Sequence, residues 1–477
     1  MFQETKTDLP TLTRRDLWRV GAISIVGRSL LPLVSQPAHA ATTTQVTPRG
    51  GADCVIFLNL VGSPSQMDTF DVKEGKWTPS DLDIRTTKQG FRWPYGLLPR
   101  LGDQLDTLLP VRSMAAWETL HNLAQYYQQV GHQYTPARGA EMPSIGSVIA
   151  YESLPKTKAS DFLPPHVSMN FPAGAVNGNL TKEGFLDSST APLTLDLREG
   201  GNRPFLMEAS RRERFNRRLD FLQSFDTSRQ LAGPGVSKRY LEWDSFTKSA
   251  VKMIQSPSIA EIFKLDDADR KRYGSTALGD ACIIARNMVA AEAGVRYILV
   301  NQGGWDHHGD IYGKGDRARG EDPKTRGGLY QTCGELDPAM AALLTDLKNT
   351  KNKSGSPLLE RTFVVAAGEF GRTPGPLTDI KGRDHWAAVR AALFAGAGVK
   401  GGRVIGSTDE TGGKISSFDW NMKRPIYPED VTATMYSVLG IDWTKSLAAP
   451  SGRAFQYIEP MSGTNFIGST EIKELFA

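Results

Sequence analysis

Three of the seven histidines stand in two short glycine-rich stretches that also carry carboxylates: Gly303-Gly304-Trp305-Asp306-His307-His308-Gly309-Asp310 and Gly382-Arg383-Asp384-His385-Trp386. Two further stretches of the same character supply Asp68 and Glu369: Gly62-Ser63-Pro64-Ser65-Gln66-Met67-Asp68-Thr69-Phe70-Asp71 and Gly368-Glu369-Phe370-Gly371-Arg372-Thr373-Pro374. Clustered Asp, Glu and His suit a hard or borderline divalent cation, since carboxylates bring charge and neutral imidazole brings a directional nitrogen. Any one loop alone is equally explained by Asp acting as a turn former. Four such loops at successive strand ends point to one shared metal site. Zinc, manganese and calcium are not distinguished by this mixture of donors. His307 and His308 are neighbours, so in an extended loop their side chains diverge and one of the two coordinates.

Hydroxyls and guanidiniums complete the reactive inventory. Ser144 follows Pro143 and opens an apolar helical segment, Ile145 to Tyr151. A hydroxyl at a helix start is well placed to attack a phosphorus or sulfur centre, because backbone N–H groups there stabilise oxyanions. Serine is also the commonest N-cap, and both roles stand at this point. Thr69, beside Asp68, is a second hydroxyl. Arg372 and Arg383 adjoin the acidic residues and either fork onto an anionic substrate oxygen or pair with Asp384 or Glu369. Trp305 and Trp386 offer stacking faces for a sugar or base, or simply pack.

Such loops need strands to hold them. Cys54-Val55-Ile56-Phe57-Leu58-Asn59-Leu60 is a short, uninterrupted apolar run closed by Gly62 and Pro64, as in a strand buried on both faces. Tyr297 to Val300 and Thr362 to Ala366 read the same way. Between them Leu336, Met340, Leu343 and Leu347 recur at helical spacing, and before Tyr297 a helix carries Leu278, Cys282, Ala285 and Val289 on one face and stops at Gly294. Strand–helix–strand of this type predicts an α/β fold, a doubly wound, mostly parallel sheet flanked by helices, with ligands beyond the carboxyl ends of the strands. Cys54 and Cys282 fall on apolar faces and read as core. Residues from about 154 to 274 are richer in Arg, Ser and Asp, with a charged helix expected over Arg211 to Phe225, and read as an insertion at the sheet edge.

The N-terminus reads as an address. Arg14-Arg15 precede a weakly apolar stretch, Val20 to Val34, and then Ala38-His39-Ala40, the order of an export signal that resembles the twin-arginine type. Arg28 and Pro32 interrupt the apolar run, so it is a poor membrane span. Residues 1–40 are thus expected to be a signal peptide, 41–51 a flexible lead-in and 52–477 one α/β domain, exported to the periplasm or an equivalent compartment, with the export machinery as a partner. The 477 residues carry 56 basic and 52 acidic side chains and no long block of like charge, which excludes a nucleic-acid footprint. Three cysteines cannot form a disulfide framework.

The blocks quoted above, together with Arg112-Ser113-Met114 and Pro143-Ser144-Ile145-Gly146-Ser147, resemble the family named domain of unknown function 1501, whose fold is similar to the alkaline phosphatase and sulfatase superfamily. The resemblance runs over most of the mature chain. It implies metal ligands in chain order: Asp68 first, Asp306 with His308 as a middle pair, Glu369 where an Asp-His pair begins, and His385 as the late histidine. Phe370 occupies the place of a second imidazole. That leaves a single metal, or a second one completed by His121, His132 or Asp384. The cysteine segment that sulfatases convert to an aldehyde hydrate is absent from the sequence, so sulfatase chemistry of that type is not implied. Two functions follow as expectations. One is an exported metal-dependent hydrolase of phosphate or sulfate esters, with Ser144 or a metal-bound water attacking and Arg372 or Arg383 holding the anion. The other is a binding protein on a hydrolase-like fold that recognises an envelope glycan or a protein without turnover.

Overall fold

The computed structural model describes residues 46–139, 141–170, 182–198, 213–214, 216–218, 220–221, 248, 250–256, 258–313, 328–458 and 468–477. The expected export signal and most of the helix expected over Arg211–Phe225 lie outside them. All belong to one compact unit, Val46–Ala477. Its main sheet contains β1 (Cys54–Leu60), β2 (Leu109–Met114), β3 (His166–Met169), β4 (Leu193–Leu195), β5 (Tyr297–Gln302), β6 (Thr362–Ala367) and β7 (Arg390–Ala395). The spatial order is β2-β7-β6-β1-β5-β3-β4. β1 pairs in parallel with β5 and β6, β3 in parallel with β5 and β4, and only β7 runs against its two neighbours.

The apolar runs become central strands because both of their faces are covered. Ile56, Leu58 and Leu60 point into one core with Ile283, Leu336 and Met340, from helices α3 (Ala277–Ala291) and α4 (Gly328–Asn349). The alternate residues Val55 and Phe57 point into the other with Tyr126, Ile149 and Met435. Those come from α1 (His121–Val130), α2 (Ile145–Ser153) and α5 (Pro428–Val438). The period-2 alternation of β1 thus divides one strand between two helical layers. Burying a side chain of this size stabilises the fold by about 1.5–3 kcal/mol. The three thiols, Cys54, Cys282 and Cys333, are free and buried.

One expectation needs correction. The helix ahead of β5 does not run to Gly294; it stops at Ala291, with Glu292 in the left-handed conformation as its cap. Within segment 154–274, β3 and β4 form one edge of the sheet. Among the described residues no helix is long and apolar enough to cross a membrane.

Candidate metal centre

The carboxyl ends of β1, β6 and β5 open onto one side, and the loops that follow them converge there, as expected of an open α/β sheet. Gly62 follows β1 with φ +102°, and a Cβ on it would lie 2.5 Å from the Asp306 backbone nitrogen. Only glycine lets the β1 loop and the β5 loop approach that closely. Beyond β6, Gly371–Arg372 pairs antiparallel with His385–Trp386, placing His385 directly across from Arg372. Gly382 packs against the carbonyl of His308, where a Cβ would sit 1.9 Å from that oxygen.

These approaches bring together His121, Asp306, His308 and His385, whose ligand atoms all lie within 4.8 Å of one another. Asp306 Oδ1 stands 3.0 Å from His121 Nε2, 2.9 Å from His308 Nε2 and 3.7 Å from His385 Nε2. The Nε2 atoms of His308 and His385 are 2.9 Å apart. A tetrahedral zinc site with bonds of about 2.0–2.1 Å has ligand–ligand edges of about 3.3 Å, and the observed separations bracket that length. His121 Nε2 is buried and makes no hydrogen bond, although Asp306 Oδ1 lies 3.0 Å away. An orphaned imidazole nitrogen aimed at two other imidazoles and a carboxylate fits a bound cation.

The far side of each ring explains the convergence. His121 Nδ1 lies 2.6 Å from Glu369 Oε1, His385 Nδ1 lies 2.5 Å from the Thr119 carbonyl oxygen, and His308 Nδ1 faces Asp384 Oδ1 at 3.6 Å. For His121 and His385 the acceptor at Nδ1 is close enough to hold the proton there and turn the Nε2 lone pair inward, as in the outer-shell support of a histidine ligand; Asp384 lies too far from His308 for that. His121 and Gln125 share one face of α1, and both address Glu369; the Gln125 amide donates to it at 3.1 Å. Gly62 N–H donates to Glu369 at 3.0 Å. Phe370 forms the floor, its ring centroid 4.7 Å from that of His121 and 4.6 Å from that of His385.

Charge follows from this geometry. Burial opposes a charged His121, but the carboxylates of Asp306 and Glu369 outweigh it and raise the pKa to about 9. Burial pushes the Asp306 carboxyl up, yet His121 and Arg372 hold it well below the ordinary carboxylate range. For Glu369, burial again pushes upward and the hydrogen bond from His121 prevails, lowering the value. His385 is lowered by burial and then by the positive Arg372 and His121.

Not every residue singled out in the sequence joins this cluster. Asp68 is buried in an ion pair, accepting from Arg383 Nε at 2.5 Å, from Ser65 Oγ at 2.5 Å and from the Tyr312 hydroxyl at 2.5 Å. Its oxygens are therefore committed within the protein, and it stands outside the ligand set. Glu369 and Asp384 support ligands instead of belonging to the cluster. Arg383 is fully buried, giving its other donors to the carbonyls of Thr373 and Gly375 at 2.9 and 2.7 Å. Arg372 is 1% exposed and donates to Asp306 Oδ1 at 2.6 Å, to Ser63 O and Arg383 O at 3.2 Å each, and to Gly62 O. Both guanidiniums are buried and hydrogen-bonded to acceptors of the protein itself.

Ser144 caps α2, its Oγ accepting from the Ser147 N–H at 3.3 Å, and Thr69 donates to the Ser65 carbonyl at 2.7 Å. Both hydroxyls are buried. His132 is remote from the cluster, bound through Nε2 to the Gln456 carbonyl at 2.8 Å. His307 is buried and uncharged, pushed down to about 3 by burial and then by Arg372. Trp305 is a packing residue, buried with its Nε1 on Gln302, and Trp386 donates to the Gly413 carbonyl at 3.0 Å. His121 entered the sequence reading only as a filler for a second ion. Its signal was a histidine at the start of a helix soon after a strand, Arg112-Ser113-Met114, whose Pro110 and Arg112 hide it.

The fold resembles several solved structures at low identity. A sulfatase from Pseudoalteromonas sp. shares 12% identity at a TM-score of 0.39, covering 83% of this chain and 68% of its own. A protein in the alkaline phosphatase superfamily from Vibrio parahaemolyticus shares 13% at 0.35, covering 85% and 74%. A phosphonate monoester hydrolase from Silicibacter pomeroyi shares 10% at 0.37, covering 90% and 76%. No curated protein matches the chain in sequence. Residues 52–465, nearly all of the expected mature chain, match the family described as protein of unknown function (DUF1501), and the chain belongs to that family.

Proposed function

We propose that this protein is an exported, single-zinc hydrolase that uses water to cleave phosphate or sulfate esters. The observation that carries the reading is the convergence of three imidazole Nε2 atoms and Asp306 Oδ1, with the His121 and His385 rings each hydrogen-bonded to an oxygen at Nδ1. Three nitrogens and one carboxylate favour zinc over calcium, which prefers an all-oxygen shell. A zinc ion held by these residues would supply a Lewis acid able to polarise an ester oxygen and to lower the pKa of a water. Glu369 keeps the Nδ1 proton of His121 in place. Phe370 closes the floor against solvent. Asp384, 66% exposed beside His308, is the carboxylate at the rim that can accept a proton from an incoming water. The Ser144 hydroxyl is engaged with the Ser147 amide and side chain and the Thr69 hydroxyl with the Ser65 carbonyl, so we take water as the nucleophile. The twin-arginine-type segment supports export of the folded, loaded protein.

One feature favours a second reading. Four protein ligands close a tetrahedron, as in structural zinc sites, and a protein so built would bind an envelope glycan or a protein without turnover. Elemental analysis of the mature protein, purified without chelator, separates the outcomes. One equivalent of zinc with hydrolysis of p-nitrophenyl phosphate or sulfate esters, lost in His308→Ala, supports the hydrolase. One equivalent of zinc with no turnover supports the binding protein. No metal, and none lost in His121→Ala, overturns both.

A further inference from the structure

We propose that Arg372 is the built-in second cation of this centre, its guanidinium filling an oxygen cage that shares Asp306 with the three imidazoles, so that the centre takes one divalent ion and not two. The inference rests on the single-metal reading above and goes beyond it by assigning Arg372 the role that limits the centre to one ion.

The cage is made of oxygens only: the carbonyls of Gly62, Ser63 and Arg383 and the Oδ1 atom of Asp306. Such a set is what a hard cation seeks. Here it surrounds a side chain whose charge is permanent and whose planar fork reaches several acceptors at once. The position is fixed from both sides. Gln66 accepts from the Arg372 backbone N–H at 2.8 Å and returns a hydrogen bond to its carbonyl at 2.8 Å. Phe370 lies beneath, with the guanidinium carbon 5.6 Å from the ring centroid. Phe370, its ring centroid 4.6 Å from that of His385, brings no ligand atom to this side, and the charge there is already supplied by the guanidinium. Asp306 Oδ1 bridges: it accepts from Arg372 at 2.6 Å and lies 2.9 Å from His308 Nε2. A carboxylate oxygen shared by two cations is the core of a two-metal site, with one of the metals exchanged for protein. Arg372 is thus a positioning residue that fixes and neutralises Asp306 without touching substrate.

The test uses the full mature chain, counting metal by elemental analysis and following melting temperature with added manganese. Wild type is expected to hold one equivalent of zinc and to show no shift with millimolar manganese. In Arg372→Ala the zinc affinity should fall by about 10–100-fold, as for the loss of an outer-shell partner. Manganese should then raise the melting temperature of this variant, and the shift should vanish in Arg372→Ala/Asp306→Asn. Arg372→Lys, which keeps the charge, should bind one zinc and ignore manganese; it decides the matter if the alanine variant fails to fold. Two equivalents in wild type, a manganese response in Arg372→Lys, or none in a folded Arg372→Ala would overturn the inference while leaving the zinc centre standing. No zinc in wild type removes both.

Discussion

Glu369 Oε1 and His121 Nδ1 are 2.6 Å apart, and the carboxylate side chain is wholly buried beneath an imidazole that remains 24% exposed. A buried carboxylate of this kind serves the ring above it: the proton stays on Nδ1, the plane of the ring is fixed, and Nε2 is presented to the cluster. The pair joins the loop after β6 to the first turn of α1, two segments far apart in the chain.

Replacing Glu369 with Gln keeps the shape and removes the charge. The zinc affinity of Glu369→Gln should fall by about 10–100-fold while its unfolding midpoint in the presence of chelator stays close to wild type. Chelator competition measures the first and denaturant titration the second. An unchanged affinity would show that the carboxylate merely fills space.

His121 and His132 lie on the same stretch of chain and should part company on substitution. His121→Ala should lose the metal. His132→Ala should keep it and instead lose about 1–3 kcal/mol of stability, because the Gln456 carbonyl that His132 engages is left without its partner. Elemental analysis of both variants, side by side, checks the contrast.

Arg383 and Asp68 form an ion pair that is almost entirely removed from solvent. Arg383→Met leaves a buried, unpaired carboxylate and should cost about 3–5 kcal/mol of stability; adding Asp68→Asn should restore much of the loss. The double-mutant cycle is read by denaturant unfolding. If Arg383→Met instead leaves stability intact and weakens only substrate binding, the guanidinium faces the substrate after all.

Acid should destabilise the fold before its carboxylates titrate. Burial pushes His132 down to about 4 and His166 down to about 3, from an ordinary 6.5. Below that ordinary value the unfolded chain binds protons that the folded chain refuses. Their contribution to stability is therefore fully present above pH 6.5 and is lost as pH falls toward the folded values, at about 1.4 kcal/mol per pH unit for each group. Denaturant unfolding between pH 7 and 4.5, compared with His166→Gln, should show a shallower fall in the variant (about two-thirds of the slope if His132, His166 and the likewise buried His307 contribute equally).

Much of this arrangement could be read along the chain, and its omissions have physical causes. β1 announces itself because both of its faces are apolar, and β5 and β6 do so for the same reason. β2 does not. It is an edge strand, which tolerates Pro110, and its Arg112 is buried with its charge on Asp71 at 3.3 Å and a hydrogen bond to the Phe70 carbonyl at 2.9 Å. Asp306, His308 and His385 were visible as residue types at strand ends. The fate of Asp68 was not, since it depends on a guanidinium 315 positions away. Arg372 and Arg383 were conspicuous for the same reason that they misled. A guanidinium beside acidic loops looks available until the fold shows which carbonyls and carboxylates have already claimed its donors. Ser144 sits where a nucleophile or a cap belongs, and only the Ser147 amide decides between them.

The short ribbon of Gly371–Arg372 against His385–Trp386 carries a metal-facing imidazole on one strand and the caged guanidinium on the other. Two residue pairs give it little cohesion of its own, whereas the sheet beneath is held by long parallel ladders. An ion at the centre would therefore act as a rivet for this corner. Stripped of it, the chain would keep its two cores and let the ribbon fray first, so amide exchange at Arg372 and His385 would report metal supply well before any global unfolding does.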